Sequence, residues 1–479
     1  MYPLAKKIAV LTQKINLRAP QTANGSPQII PISTLIQSEK LTSLSQEVSQ
    51  ALHLNSTQLQ DIVSIFKKEI KLGLKNEFSS LKMLPRYVTK INSSEIKANQ
   101  SIFALDFGGT NVRLLKINFD QIGKPKIEFN KSFPIPKSII SSTKSEILFS
   151  WIADQIKKAL QETGNINQAT CLSFPACSLG FTFSFRYEQQ ALNKAIFIKW
   201  SKGFQATDLI GQDPCDILAQ ELEKKGIINM PIKAIISDTI ATFLTGSLID
   251  PNCDAGMIIG TGNGLCLNIP TTMIQKPMLP YTNNEMAMVV GPGDFDIKKA
   301  GYYTRFDEKT DQASETPGDK WTEKMVSGKY LGEILRVMLN ETLDKQILTK
   351  DSISTELMMK IANLDSIPAK TKLNQLFTDY HVPIKVQTDY DAQLIHVLAL
   401  LIQNRSAQLA ATEIVGAIRL IDPKGIHHHT VAMDGSLFEK NPLYQKKLNE
   451  TIATLKSNNI QIKFMKDSSG IGAAIAACL

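Results

Sequence analysis

Two glycine turns carry the residues best suited to chemistry. In the first, the apolar run Ile102, Phe103, Ala104 and Leu105 ends at Asp106; Gly108 and Gly109 follow, then Thr110, Asn111 and Arg113. In the second, Gly260, Gly262 and Gly264 alternate around Thr261 and Asn263, again between apolar runs. Glycine lets a backbone turn tightly and leaves N–H groups open to an anion. Asp106 is placed to orient a metal-bound phosphate through water. An ordinary β-turn needs the same glycines, and the dinucleotide spacing GxGxxG is not met. Two such hairpins, far apart in one chain, suggest duplicated halves that clasp one polyphosphate. A third strand-to-glycine turn, VAMDGSLF, holds Gly435 and Ser436, and a polar turn at Ser468, Ser469 and Gly470 opens a last helix of small residues.

A carboxylate ends the apolar strand 232–237, at Asp238. The C-terminal end of a buried strand is a common catalytic placement. The same residue could simply cap the helix that begins near Ile240. Ser184, Ser201 and Lys202 bracket an aromatic stretch and are read as surface groups or as the lining of a polar pocket. Asn283, Asn284 and Glu285 form a further polar cluster.

The elements that must hold these groups alternate between strands and helices. Apolar spacing predicts helices over 44–80, with Ser56 or Thr57 as N-cap, and over 145–159. It predicts a strand over 169–174 and a half-buried strand where Phe181, Phe183 and Phe185 alternate with Thr182 and Ser184. A long helical pattern over 321–340 is interrupted by Gly328, and 394–421 reads as one apolar helix or two. His427, His428 and His429 are consecutive, so they cannot share a face, and they read as a surface or strand-edge run.

With 479 residues, the chain allows two or three domains. A hydrophobic content of 43% and a charged content of 20% suit a soluble globular enzyme, and a net charge of +8 suits an anionic substrate and solubility equally. No basic block with interleaved aromatics occurs, which disfavours nucleic acid as a partner. The six cysteines form no CxxC pair, so reduced thiols in a cytoplasm are expected. No apolar run reaches membrane-spanning length, and the short run 8–11 after Lys6 and Lys7 falls short of a signal peptide core.

Taken together and in order, MLPRYV, LDFGGTNVR, LGFTFSFRYEQQ with WSKGF, SDTIATF, IIGTGNG, NNEMAMV, EKMVSGKYLGEILR, RSAQLAA, AMDGS and SSGIGAA resemble the hexokinase family over residues 44–479. The resemblance implies a two-lobed α/β fold of the actin-like ATPase (ribonuclease H-like) type with a central cleft. The small lobe would comprise 84–236 plus 468–479, the large lobe 44–83 plus 237–467, with 1–43 an extension outside the match. It implies an ATP-dependent transfer of the γ-phosphate to the 6-hydroxyl of glucose or a related hexose, with Mg²⁺ bound through the nucleotide, in a monomer or homodimer.

By the same resemblance Asp238 is the general base. Asp106, Gly108, Gly109, Thr110, Asn111 and Arg113 form one phosphate loop, and Gly260, Thr261 and Gly262 the other. Gly435, Ser436, Ser469 and Gly470 lie toward the nucleotide. Ser184, Ser201, Lys202, Ser237, Asn263, Glu285 and Glu323 lie toward the sugar. No dedicated protein metal site is implied.

The departures gather on the sugar side. Ser237 stands where the family has Asn before the base. Gly264 replaces a sugar-facing Asn, with Asn263 beside it. Met286 and Ala287 replace Trp–Gly, and Arg186 replaces Pro. These leave a second expectation alongside the kinase, a weak or inactive sugar or nucleotide sensor that regulates a partner.

Overall fold

The computed structural model describes residues 35–162, 178–343 and 346–479. The expected strand 169–174 lies outside these residues. The strands are β1 (Leu84–Pro85), β2 (Ser101–Phe107), β3 (Asn111–Phe119), β4 (Pro125–Pro134), β5 (Leu179–Phe183), β6 (Arg186–Ala191), β7 (Lys194–Lys199), β8 (Ile232–Ile236), β9 (Cys253–Ile259), β10 (Asn263–Pro270), β11 (Glu285–Val289), β12 (His429–Asp434) and β13 (Ile460–Phe464).

They form two mixed sheets built to one plan. The first is ordered β4-β3-β2-β5-β8 and the second β1-β11-β10-β9-β12-β13. In each, a hairpin continues antiparallel to a third strand: β2–β3–β4 in one and β9–β10–β11 in the other. In each, two further strands join the first strand in parallel: β5 and β8, or β12 and β13. The duplication suggested by the two glycine turns is therefore a duplication of the whole sheet. The glycine turns are the β2–β3 and β9–β10 hairpin tips.

Each sheet has its own apolar core. One gathers Phe103, Phe181, Phe183, Phe149 and Ile152 around the first sheet. The other packs Met257, Leu265 and Val431 against the helices that flank the second. A third cluster joins Ile240, Phe243 and Ala241 to Ala473, Ala474 and Ile475. It centres on the crossing of helices Asp238–Ile249 and Ser468–Ala476. Only glycine fits that crossing at position 472, where a Cβ would lie 2.1 Å from the carbonyl oxygen of Ala241.

Several local expectations are corrected. Asn55, not Ser56 or Thr57, caps Ser56–Leu74, through an N-terminal box with Gln58. The aromatic stretch is no half-buried strand: β5 is buried throughout, and β6 and β7 form a separate two-stranded ribbon. The 394–421 region is one helix, Asp389–Ile421, buried over most of its 33 residues. Gly328 ends one helix, Trp321–Val326, before Leu331–Asn340 begins. His429 is buried at the start of β12, while His427 and His428 stay exposed.

Candidate active site

The β2–β3 tip forms a shallow concavity lined by Asp106, Gly108, Gly109, Thr110, Asn111, Arg113 and Ser132. Ser132 enters because β4 pairs it with Arg113. Asp106 is buried, and Arg113 donates to its Oδ2 from Nε at 3.0 Å and from Nη2 at 2.7 Å. The third guanidinium nitrogen reaches Asp467 at 3.0 Å. Burial raises the pKa of Asp106, and the Arg113 charge pulls the other way. A Cβ added at Gly108 meets no protein atom within 4 Å. Packing does not demand that glycine, so the space in front of it is open to a ligand. At Gly109 the space is taken by Lys202, whose Cδ lies 2.8 Å from such a Cβ.

Lys202 ties this loop to the ribbon that follows β5. Its backbone is left-handed, with φ of 62°. Its ammonium donates to the Gly108 carbonyl at 2.7 Å and to the Ser184 carbonyl at 3.1 Å. Desolvation lowers its pKa, and the charges of Asp238, Asp106 and Glu323 oppose that. Those three carboxylates therefore lie near enough to Lys202 to act on its charge. Ser184 is half-buried at the end of β5, and Ser201 is exposed beside Lys202.

Asp238 is the first residue of helix Asp238–Ile249, immediately beyond β8, and it is half-buried. Its Oδ1 accepts from the Thr239 N–H at 2.8 Å, which leaves its other oxygen without a protein partner among the described residues. Ser237, at the cap position, shares a hydrogen bond with the Thr239 hydroxyl at 3.0 Å instead of capping the helix.

The second loop is gripped from both sides. The N–H of Gly328 donates to the Gly260 carbonyl at 2.7 Å and that of Lys329 to the Thr261 carbonyl at 3.2 Å. The break at Gly328 is what lets the helix junction come so close. Gly435, at φ of 112°, brings the end of β12 onto the same loop; a Cβ there would lie 2.4 Å from the Ile259 carbonyl oxygen. Ser436 sits beside Gly260. Ser469 and Gly470 lie deeper. The Ser469 carbonyl accepts from Thr182 at 2.8 Å, and Gly470 packs against Leu115.

Two residues expected at the sugar are placed elsewhere. Asn263 is buried, and its amide donates to Glu413 at 3.0 Å, away from the cleft. It therefore cannot stand in for the missing side chain at Gly264. Glu285 opens β11 opposite Pro270, at the far end of the hairpin from the 260–262 tip. At about 3.3 Å per residue, that separation is roughly 25 Å, and Asn268 donates to Glu285 there at 2.6 Å. The strand period, not the local NNE pattern, decides where β11 meets the loop, and Val289 and Val290 occupy that level.

Glu323 does reach the site: its Oε2 is 3.5 Å from a Cβ built on Gly262. Lys320, itself left-handed at φ of 56°, donates to both Glu323 oxygens at 3.1 Å. Beside them Arg186 donates to Asp294 at 2.7 Å. Burial raises the pKa of Asp294, against the charges of Arg186 and Lys320. Sequence reasoning missed Lys320, Asp294 and Ser132. They lie in a loop-rich stretch or on an edge strand, where no periodic signal marks a side chain's direction.

Comparison with known proteins accounts for this arrangement. Two hexokinase family models match in succession, over residues 44–248 and 254–479. A hexokinase from Schistosoma mansoni is 30% identical over 90% of this chain and 96% of its own length. Human hexokinase HKDC1 is 29% identical over 99% of this chain but only 52% of itself, so the chain spans about half of that relative. Horse hexokinase-2 is similar, at 28% identity with 48% of its length covered. Among solved structures, a Schistosoma mansoni hexokinase complexed with glucose superimposes with a TM-score of 0.81 at 29% identity, covering 91% of this chain and 99% of the other. The two matched sheets, each with a glycine hairpin tip, are thus the actin-like ATPase fold, and the chain belongs to the hexokinase family of phosphotransferases.

Proposed function

We propose that the chain transfers the γ-phosphate of ATP to the 6-hydroxyl of glucose or a related hexose, with Asp238 as general base. The observation that carries this reading is Lys202, bonded to the Gly108 carbonyl of the first glycine tip and acted on by the charges of Asp238, Asp106 and Glu323, with Glu323 lying against Gly262 of the second tip. Phosphoryl transfer is mainly positioning and charge stabilisation. Backbone N–H groups of 108–111 and 260–262 would hold the phosphates, with Arg113 fixing Asp106 behind them. Asp238, with one oxygen held by Thr239, would take the proton of the attacking hydroxyl on the other.

Mg²⁺ would arrive on the nucleotide phosphates. Asp106 fits its water shell as a buried carboxylate at the loop, oriented by two hydrogen bonds from Arg113. Glu323 would hold sugar hydroxyls once Lys320 shares it. The lobes proposed are 84–236 with 468–479, and 44–83 with 237–467. The cytoplasm is the proposed compartment, in keeping with the free thiols of Cys215, Cys253, Cys266 and Cys478. No helix among the described residues is long and apolar enough to cross a membrane. The intact Asp238 and both loops favour the enzyme over a sugar sensor.

The test is a coupled assay for ADP formation with Mg-ATP across a panel of hexoses. Turnover of at least one hexose is expected. Replacing the base, Asp238→Ala, is expected to cost about 10²–10⁴-fold in kcat while ATP affinity by calorimetry stays unchanged. Near wild-type turnover in that variant removes Asp238 from the role.

A further inference from the structure

We infer that Glu413 is a positioning residue for the second glycine loop: as a neutral carboxylic acid it closes a two-hydrogen-bond ring with the side-chain amide of Asn263, and its ionisation in alkaline solution releases the loop. This rests on reading 260–262 as a phosphate loop.

Two buried groups here are incompletely hydrogen-bonded. Glu413 lies in helix Asp389–Ile421 at 2% exposure. Its partner is Asn263 Nδ2, 3.0 Å from each carboxyl oxygen. Asn263 is 6% exposed, and its Oδ1 is buried with no hydrogen-bond partner. An ionised carboxylate held by one neutral N–H in an apolar core is costly, and so is an orphaned amide oxygen. One proton taken from solvent resolves both. The protonated carboxyl then donates its O–H to Asn263 Oδ1, and Nδ2 donates to the remaining carboxyl oxygen.

The surroundings supply no cation to hold Glu413 ionised. From the helix Pro442–Thr454, Tyr444 faces this region; its pKa is raised by burial first, then by the charge of Glu413, and its hydroxyl meets Ser406 at 3.1 Å. From the helix Ser56–Leu74, Val63 and Phe66 pack beside Gly416. Arg405 is committed to Asp307 at 2.7 and 2.8 Å, and Lys324 to Asp311. β10 contributes Asn263 itself. Burial pushes the Glu413 carboxyl up to about 8, and the Asn263 bond only partly offsets it.

The ring matters because of where Asn263 stands. It is the first residue after the loop tip and pairs with Ile259 across the hairpin. Gly328 and Lys329 secure the tip's carbonyls; Glu413 secures its root. Ionisation removes the O–H donor, leaves an unpaired charge, and frees the root to shift.

The experiment uses the full chain as wild type, Glu413→Gln and Glu413→Ala. The KM for Mg-ATP and kcat are measured at saturating hexose from pH 6 to pH 10, together with the infrared carbonyl band of a protonated carboxyl. In wild type the KM for ATP is expected to rise about tenfold on the alkaline side, the scale of one lost buried hydrogen bond, with a smaller change in kcat. Glutamine keeps one donor and one acceptor without titrating, so Glu413→Gln is expected to hold a low KM at every pH and to lack the infrared band. Glu413→Ala should bind ATP weakly throughout.

An alkaline rise in KM that persists in Glu413→Gln overturns the proposal. So does the absence, in wild type, of a carboxyl band that titrates near pH 8. If no hexose is phosphorylated at any pH, the kinase reading fails, while the infrared titration still decides the state of Glu413.

Discussion

Thr239 fills the space that a side chain at position 264 would need. A Cβ built on Gly264 comes within 2.6 Å of Thr239 Cγ2. By the resemblance, Gly264 replaces a sugar-facing Asn. The structure fills that space with Thr239, itself held by Ser237. Gly264→Asn is therefore expected to destabilise the protein by about 1–3 kcal/mol, the usual scale of overpacking, seen as a lower Tm. Adding Thr239→Ser deletes the clashing methyl, keeps the hydroxyl, and should recover most of the loss. A Gly264→Asn protein as stable as wild type would show that Thr239 yields freely.

A second residue-scale prediction concerns His429. Its Nδ1 meets Asp254 at 2.5 Å and its Nε2 meets Asp422 at 3.2 Å. Two carboxylates require a donor from each nitrogen, so the ring is an imidazolium. Burial lowers its pKa, but Asp254 and Asp422 outweigh that and the net shift is upward. A raised folded-state pKa contributes stability that is full below the unfolded value, near 6.5, and is lost as pH rises through the folded value. Asp422 is shifted down, so its share is lost only in acid. The Tm of wild type should fall between pH 6 and pH 9 more than that of His429→Gln. Parallel curves would contradict the imidazolium.

At the scale of elements, strand period decided what local motifs could not. The two strand–glycine–strand units were legible because an apolar run, a glycine pair and a second run are contiguous in sequence. The same contiguity put Asp106, Arg113 and Thr261 at the two hairpins, and the apolar strand before it put Asp238 at a strand end. Glu285 was misplaced because its motif says nothing of the β10–β11 register, which puts it opposite Pro270. Asn263 was misplaced because adjacent strand residues face opposite sides, and its partner Glu413 is 150 positions away. A direct contrast follows. Glu323→Gln is expected to raise the KM for hexose roughly tenfold, the scale of a lost charged hydrogen bond. Glu285→Gln should leave it unchanged within about twofold, since that side chain meets Asn268. If Glu285→Gln raises KM as much as Glu323→Gln, the β11 register assigned to the site is wrong.

At the scale of the whole molecule, two of the contacts that join the sheets differ in character. Behind the cleft, helices Asp238–Ile249 and Ser468–Ala476 cross at Gly472 with no space to slide. At its mouth, Arg186 at the start of β6 reaches Asp294 in the short turn Pro292–Asp294, which packs against the helix that bears Glu323. A fixed crossing behind and a polar contact in front is the geometry of a hinge with a latch. The latch is partly wet, with side-chain exposures of 39% for Arg186 and 20% for Asp294, so screening keeps it to about 1 kcal/mol or less. That is enough to shift an open–closed balance up to about fivefold. Arg186→Ala is expected to enlarge the radius of gyration of the sugar-free protein in X-ray scattering and to raise the KM for hexose two- to fivefold. kcat at saturating sugar should be nearly unchanged, on the proposal that bound sugar holds the two halves closed. High salt should act on wild type in the same direction and leave the variant unmoved. A variant with wild-type scattering and wild-type KM would show that the hinge alone sets the closed state.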